Sequence, residues 1–381
     1  MTSSGSAGTL LFVVTEDWYF CSHRLALARA ARAEGWRVVV ATRVDRHADD
    51  ILGAGLELRP LSMRRRGMSP PGELRTLLEL VALYRREHPT VVHHVALKPV
   101  LYGSLAAFAA GVPAVVNAVA GLGFVFISRS FGARALRPLV RAGYRLAFAG
   151  RGTRVVVQND DDEAKVRDLG VNPERIALIR GSGVDLDRFA PGPEPDEPVV
   201  VTMVSRMLRD KGVFELVEAA RRLSRSHPSL RVRLVGPPDP ENPASIDTET
   251  LEALAREGII EWCPGTDDVP GVWARSHVAV LPSYREGLPK ALLEAAACGR
   301  PMVSTDVPGC RDVVRHEHTG LLVPPRDASA LASAIARLAD DPELRARLGR
   351  GAREHVRDFA EAPIVGQTLE LYSRLADDDR R

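Results

Sequence analysis

The sequence predicts an α/β chain made of two doubly wound parallel-sheet domains in tandem. Three observations carry this. Strand-length apolar runs alternate with helix-period patterns, which calls for parallel strands joined by crossover helices. The alternation stops at a proline-rich stretch and then starts again. A length of 381 residues also exceeds that of one typical domain.

Taken in order, "TLLFVVT" (Thr9–Thr15) reads as a buried strand. A helix pattern follows from about Ser22 to Glu34, and after the stop at Gly35 "WRVVVATR" reads as a second strand. "PTVVHHV" (Pro89–Val95), "AVVNAV" (Ala114–Val119) and "TRVVVQN" (Thr153–Asn159) are further strands with helix patterns between them. "FAPGPEPDEPVV" (Phe189–Val200) holds four prolines and three acids, a composition that neither sheet nor helix accepts, so it reads as a linker. The alternation then resumes with "VVVTMVS" (strand), "GVFELVEAARRLSRSH" (helix), "LRVRLVG" (strand), "TETLEALAREG" (helix), "IIEWCPG" (strand) and "SHVAVLPS" (strand). "RPMVSTD" and "GLLVP" are the last strands, and the chain is helical by pattern from Ser329 onward. The expected domains are 1–190, a linker 191–198, 199–360, and a helical tail 361–381. Ligands of such sheets sit at the C-terminal ends of the strands, and the cleft between two such domains is the expected place for a site.

Composition is that of an ordinary globular enzyme, with 45% hydrophobic and 26% charged residues. The net charge of +2 hides an asymmetry: residues 1–190 carry 26 Lys+Arg against 18 Asp+Glu, and residues 191–381 carry 25 against 31. Different partners, or an anionic surface facing the first half, would explain this. Cys21, Cys263, Cys298 and Cys310 show no paired spacing, which argues for a reducing compartment and against a disulfide frame or a thiolate metal site. "MTSSGSAG" is expected to be a disordered lead rather than a signal peptide, and no apolar run has the length of a membrane span. The expectation is a cytoplasmic chain with no nucleic-acid partner.

Two motifs carry chemistry. In "VSRMLRDKG", Ser205 and Arg206 end a strand and Gly212 opens a helix, so Arg206 and Lys211 flank a strand–loop–helix corner. A helix N-terminus with two added cations suits a diphosphate, although solvated surface charges fit the same pattern. In "SYREGLPKALLEAAACGRP", Gly287 permits a tight turn and Pro289 suits the first turn of a helix running to about Cys298. Glu286 then stands before that helix and Glu294 inside it, among alanines that allow close approach. Carboxylates in such places match the hydroxyl donors of sugars; a capping acid and a solvated helix glutamate are the plainer alternative.

The combination of "VSRMLRDKG", "GTDDVPGVWARSHVAVLPSYREGLPKALLEAAACGRPMVSTDVPGCRDVV" and "GLLVPPRD" closely resembles the retaining family-4 glycosyltransferases of the GT-B fold, with Glu286 and Glu294 at the spacing of that family's paired glutamates. "GSGVDLDRFAP" resembles the family's lead into the linker. The resemblance implies two Rossmann-like domains facing a cleft, the first binding the acceptor and the second a nucleotide-sugar, with a UDP-sugar as the expected donor. Arg206 and Lys211 would hold its diphosphate. Glu286 would meet the hydroxyls of the transferred sugar. Gly287, Leu288 and Pro289 would present the helix start to the diphosphate, beside Ser205, and Glu294 would bind the ribose. No cofactor or metal is implied.

"HHVALKPVLYGSLAAFAAGVPAVVNAVAGLGFVF" is similar to bacterial enzymes that extend polyprenyl-diphosphate-linked glycans, which implies a lipid-linked acceptor in cell-surface polysaccharide synthesis. Two departures stand out. The Gly-rich loop common after the first strand is replaced by "TEDWYFCSHR", and "NAVAGLG" lacks the histidine often found there. His23 and Lys98 are the candidates near the acceptor. A soluble acceptor, or a nucleotide-sugar epimerase of the same fold, is the alternative.

Other patterns resolve differently. Asp185 and Asp187 form a D-x-D before the linker, where the resemblance supplies a role without metal. His93 and His94 are adjacent in a strand and so point to opposite faces. Gly121–Gly123 is too short for a dinucleotide fingerprint. From His88 to Asn159 there is no acidic residue, while Arg134, Arg137, Arg141 and Arg145 share one helical face, with Leu136, Val140, Tyr144 and Phe148 on another. With the basic loop "SMRRRG" (Ser62–Gly67), this suits an anionic membrane surface and predicts peripheral attachment; an ordinary amphipathic crossover helix has the same form.

Overall fold

The computed structural model describes residues 7–65, 69–119 and 131–380. Seven strands form the first sheet: β1 (Gly8–Glu16), β2 (Trp36–Arg43), β3 (Glu57–Pro60), β4 (Val91–Val95), β5 (Ala114–Val119), β6 (Thr153–Val157) and β7 (Ile176–Leu178). Their order is β3-β2-β1-β4-β5-β6-β7. Six strands form the second sheet: β8 (Val200–Val204), β9 (Arg231–Val235), β10 (Glu261–Cys263), β11 (Val278–Leu281), β12 (Met302–Thr305) and β13 (Gly320–Val323), in the order β10-β9-β8-β11-β12-β13. All pairings are parallel, as the alternation of strand and helix requires. In each sheet the chain winds outward one way and then returns to the middle. This puts topological switch points between β1 and β4 and between β8 and β11.

The strands absent from the sequence reading are β3 and β7, of four and three residues at the two edges of the first sheet. Both are only half-buried, and β3 ends on Pro60. An edge strand covered on one side needs no long apolar run, so it leaves no signal. The central strand β1 is the opposite case: Leu10, Leu11, Phe12 and Val13 are each fully buried. Burying side chains of this size stabilises by roughly 1.5–3 kcal/mol each.

His93 and His94 do face opposite ways. His93 stacks on Phe12 and bonds Tyr372 on one face, while His94 Nδ1 meets Asn117 Oδ1 at 2.8 Å and its Nε2 meets Tyr84 Oη at 2.9 Å on the other. Both rings are held neutral by burial, His94 with its pKa pushed down to about 4. The Tyr372 contact belongs to the helix Glu361–Arg380, whose Leu369, Tyr372 and Leu375 join the core of the first sheet.

The chain therefore divides differently from the expected domains. One compact unit is Met1–Ser182 together with Pro363–Arg381, and the other is Gly183–Ala362. The segment 183–190 goes with the second unit, where Val184 pairs with the backbone at Phe359 and Glu361, and the tail is part of the first unit.

On one face of the first sheet pack the helices Pro70–Glu87, Ser104–Ala110 and Phe131–Ala147. Their outward sides expose Leu74, Leu78, Leu105, Phe108 and Leu146, Phe108 to 89%. Arg75, Arg85 and Arg141 are exposed on the same helices. The side chains of Arg134 and Arg137, with Arg66, Gly67 and the segment 120–130, lie outside the described residues. Among the described residues, no helix is long and apolar enough to cross a membrane.

Candidate active site

Strands β8 and β11 are neighbours, and the switch point between them opens at their C-terminal ends. The chain leaving β8 is Ser205–Lys211, and the chain leaving β11 is Pro282–Pro289. The two sequence motifs, some eighty residues apart, thus meet at one edge of one sheet, where the physics of open α/β sheets places ligands.

The contact is direct. Lys211 Nζ lies 2.5 Å from Glu286 Oε1, and Ser283 donates its hydroxyl to the same oxygen at 2.5 Å. Gly212 ends the loop with φ +77°, and a Cβ there would come within 2.2 Å of the Pro282 carbonyl oxygen. Only glycine allows both the backbone angle and this approach, which seats Lys211 against the β11 loop. Gly309 does the same from the other side. Its φ is +81°, and a Cβ would meet Gly287 O at 2.6 Å and Glu286 O at 2.8 Å.

Arg206 pairs with the buried carboxylate of Asp239, whose own backbone N–H donates to the Ser245 hydroxyl oxygen. Ser205 spends its hydroxyl on the Arg206 carbonyl at 2.9 Å. Gly287 and Leu288 lead into Pro289, the N-cap of the helix Lys290–Ala297, so the positive end of that helix follows directly on the loop that carries Glu286. Glu294 lies inside that helix and is buried. Burial pushes its carboxyl up to about 7, against the pull of Lys290, whose Nζ is 3.9 Å away, and of Arg188.

Sequence reasoning missed three participants. Asp239 follows β9 and gives no motif. Ser283 follows a strand like any serine. Arg326 sits over the Tyr284 ring at 4.3 Å, with its own backbone at φ +64°. A non-glycine residue held in that region stores strain of about 1–3 kcal/mol, which surrounding packing must hold. Tyr284 in turn donates to Glu215 at 2.5 Å, and its N–H bonds the Asp210 carbonyl.

The first unit has its own switch point at the ends of β1 and β4. Lys98 follows β4 and is bound to Glu73 at 2.7 Å; Ala96 beside it has φ +76°. At the end of β1, Glu16 is gripped by Arg43 at 2.8 Å and Arg65 at 3.0 Å, yet burial still raises its carboxyl above the ordinary range. His23 ends the helix Asp17–His23, stacked on Tyr19 at 4.2 Å and with Nδ1 2.6 Å from Ser22 Oγ. His23 and Lys98 are thus each held locally, by different neighbours. Asp185 of the D-x-D accepts from the backbone N–H groups of Asp187 and Arg188, so its carboxylate shapes a turn. Cys21, His47 and Asp50 bring possible ligand atoms within 4.8 Å of one another, but His47 bonds Asp50 and burial pushes the Cys21 thiol up to about 12, away from the thiolate a metal needs.

Two cations and a helix start at the C-terminal edge of one sheet, with carboxylates on either side of that start, suit the phosphorylated donor that the motifs lead one to expect. The comparisons agree. Residues 186–355 match the family of glycosyl transferases group 1, and residues 9–159 match the glycosyl transferase 4-like family. The chain belongs to these glycosyltransferases. It is 27% identical over 365 residues, 92% of this chain and 95% of the other, to the N,N'-diacetylbacillosaminyl-diphospho-undecaprenol alpha-1,3-N-acetylgalactosaminyltransferase of Campylobacter jejuni. It is 28% identical to the UDP-Gal:alpha-D-GlcNAc-diphosphoundecaprenol alpha-1,3-galactosyltransferase of Escherichia coli, over 81% of each chain. Its fold is that of the sucrose-phosphate synthase from Thermosynechococcus elongatus, with TM-score 0.81, 24% identity and coverage of 96% of this chain and 98% of the other. It is also that of Anabaena Alr3699/HepE, solved with UDP-glucose, with TM-score 0.76, 19% identity and coverage of 96% and 100%. The two-sheet architecture is thus the GT-B fold expected from the motifs.

Proposed function

We propose that this enzyme moves a hexosyl or N-acetylhexosaminyl group, with retention of configuration, from a UDP-sugar to a polyprenyl-diphosphate-linked glycan. The observation that carries the reading is the Lys211–Glu286 contact at the β8/β11 switch point. The lipid-linked acceptors named for the Campylobacter and Escherichia relatives support the choice of acceptor.

In the reaction, the bond from the sugar's anomeric carbon to the diphosphate oxygen breaks, and a bond from that carbon to an acceptor hydroxyl oxygen forms on the same face. The hydroxyl proton leaves with the nucleoside diphosphate. Lys211 and Arg206 answer the charge that grows on the leaving diphosphate, together with the N–H groups at the start of the helix Lys290–Ala297. Without donor these cations are balanced by Glu286 and Asp239, so they are positioned before the substrate arrives. On binding, Glu286 turns from Lys211 to the sugar hydroxyls. Glu294 takes the ribose hydroxyls. No step needs a metal ion, because the side chains and the helix start supply the positive charge.

The acceptor lipid places the enzyme at the cytoplasmic face of a membrane. The exposed Leu74, Leu78, Leu105, Phe108 and Leu146, with Arg75, Arg85 and Arg141 on the same helices, support docking on anionic lipid. The deciding experiment incubates the enzyme with labelled nucleotide sugars and polyprenyl-diphosphate glycans and weighs the product. A product heavier by one sugar is expected. Label transfer only to soluble sugars, or epimerised donor without an acceptor, would overturn the reading.

A further inference from the structure

The second unit holds a cavity of about 510 Å³ at the edge of its sheet opposite the donor motifs. His277, just before β11, and Gly299–Pro301, just before β12, form its floor, so it opens at the N-terminal ends of strands whose C-terminal ends carry Glu286 and its neighbours. Its walls carry five arginines: Arg300, Arg345, Arg350, Arg353 and Arg357. The carboxylates in the wall are Glu194 and Glu354.

The charges do not balance. Arg345 pairs with Glu194. Among the described residues, the other four arginines make no ion pair with a carboxylate. Arg300 is buried to 4% exposure, donating Nε to the Trp273 carbonyl at 3.0 Å and Nη2 to the Pro193 carbonyl at 2.9 Å. Arg353 donates to the carbonyls of Ala297 at 2.8 Å and Phe189 at 3.1 Å. Carbonyl dipoles fix where these guanidiniums point but cancel no charge, and burial holds Arg300 below the ordinary arginine range. The Glu194 carboxylate that also acts on Arg300 is already paired with Arg345, and a buried cation so weakly balanced is costly. Arg350, Arg353 and Arg357 are spaced three and four residues apart along the helix Pro342–His355 and the turn that follows, so they line one side. Arg350 and Arg357 are exposed and can swing inward.

We propose that this cavity binds a small phosphorylated molecule, at a second site distinct from the donor site. Arginine is the side chain best matched to phosphate oxygens, through paired N–H bonds that also carry charge. Pockets for small ligands run to roughly 300–1,000 Å³, so the space takes a molecule up to the size of a mononucleotide. Phosphate groups held by Arg350 and Arg357 at the mouth would be met from within by Arg300 and Arg353.

Pyrophosphate is the probe, titrated calorimetrically into the full chain. The donor site also attracts it, so three proteins are compared: wild type, R206A/K211A and R350Q/R357Q. Binding that survives in R206A/K211A and weakens by about tenfold or more in R350Q/R357Q is expected, the scale for losing charged hydrogen bonds. An A346E variant, which adds a carboxylate to the same exposed helix wall, should weaken it likewise. Equal thermal midpoints without ligand show that the variants are folded. If R350Q/R357Q and A346E bind pyrophosphate as wild type does, or if R206A/K211A abolishes all binding, the cavity is not a phosphate site. Either failure leaves the donor-site reading standing.

Discussion

Replacing Glu294 by glutamine should make the empty protein more stable in alkali and at the same time harm it as an enzyme. Burial pushes the carboxyl up to about 7 in the fold, against the ordinary glutamate value of 4.5 in the open chain. The folded state therefore holds this proton at pH values where the unfolded chain has lost it. Stability then falls as pH rises from about 4.5 to about 7 and levels off above, the reverse of the usual carboxylate. At 1.36 kcal/mol per unit the full penalty is about 3 kcal/mol above pH 7, and the part gained between pH 5 and pH 8 is about 2.5 kcal/mol. Glutamine keeps the shape and does not ionise. Relative to wild type, the melting temperature of the second unit in E294Q should thus rise by about 5–10 °C more at pH 8 than at pH 5. Differential scanning calorimetry at the two pH values measures this. The ribose role adds a linked result. Hydroxyl donors favour the ionised carboxylate, so wild type should release a proton on binding UDP and bind more tightly as pH rises from 6 to 8, while E294Q binds weakly at both. A pH-independent difference in melting between the two proteins would refute the argument from burial; unchanged UDP affinity in E294Q would refute the ribose contact.

Lys211→Ala and Arg206→Ala should each lower turnover by on the order of 10²–10³, the scale for losing one stabilising donor, and steady-state kinetics with near-normal kcat in both would sink the assignment. Glu286→Ala should act chiefly on kcat with little change in UDP affinity, because it addresses the reacting sugar; an equal loss in both would place it on the nucleotide instead. Gly309→Ala should cost about 1–2 kcal/mol from its left-handed backbone alone, and more as its Cβ pushes the Glu286–Gly287 turn, so melting temperature and kcat should fall together. Phe108→Asp combined with Arg75→Gln and Arg141→Gln should weaken binding to anionic vesicles at low salt, by about 1 kcal/mol for each arginine, with the difference shrinking as salt rises. Wild type binding equally and weakly to neutral and anionic vesicles would remove the membrane surface.

The sequence determined the architecture on its own because long buried strands and amphipathic helices announce themselves by period. β1, β4 and β5 read clearly since both their faces are covered. The donor motifs were legible for a related reason: turn glycines, a helix-starting proline and isolated carboxylates in apolar surroundings are each unusual locally. Everything that depended on partners distant in the chain was decided only by the tertiary structure. Short edge strands β3 and β7 draw their hydrogen bonds from a neighbour, not from their own composition. The helix Glu361–Arg380 reads as a tail until Tyr372 finds His93, 279 residues away, in the core of the first unit. Asp239 is an ordinary loop acid until folding sets it against Arg206. Glu294 could be read as solvated from its helix alone; its burial, and hence its raised pKa, come from the residues packed around that helix. Periodicity is a property of neighbours in sequence, whereas charge pairing and desolvation are properties of neighbours in space, and only the fold says who those are.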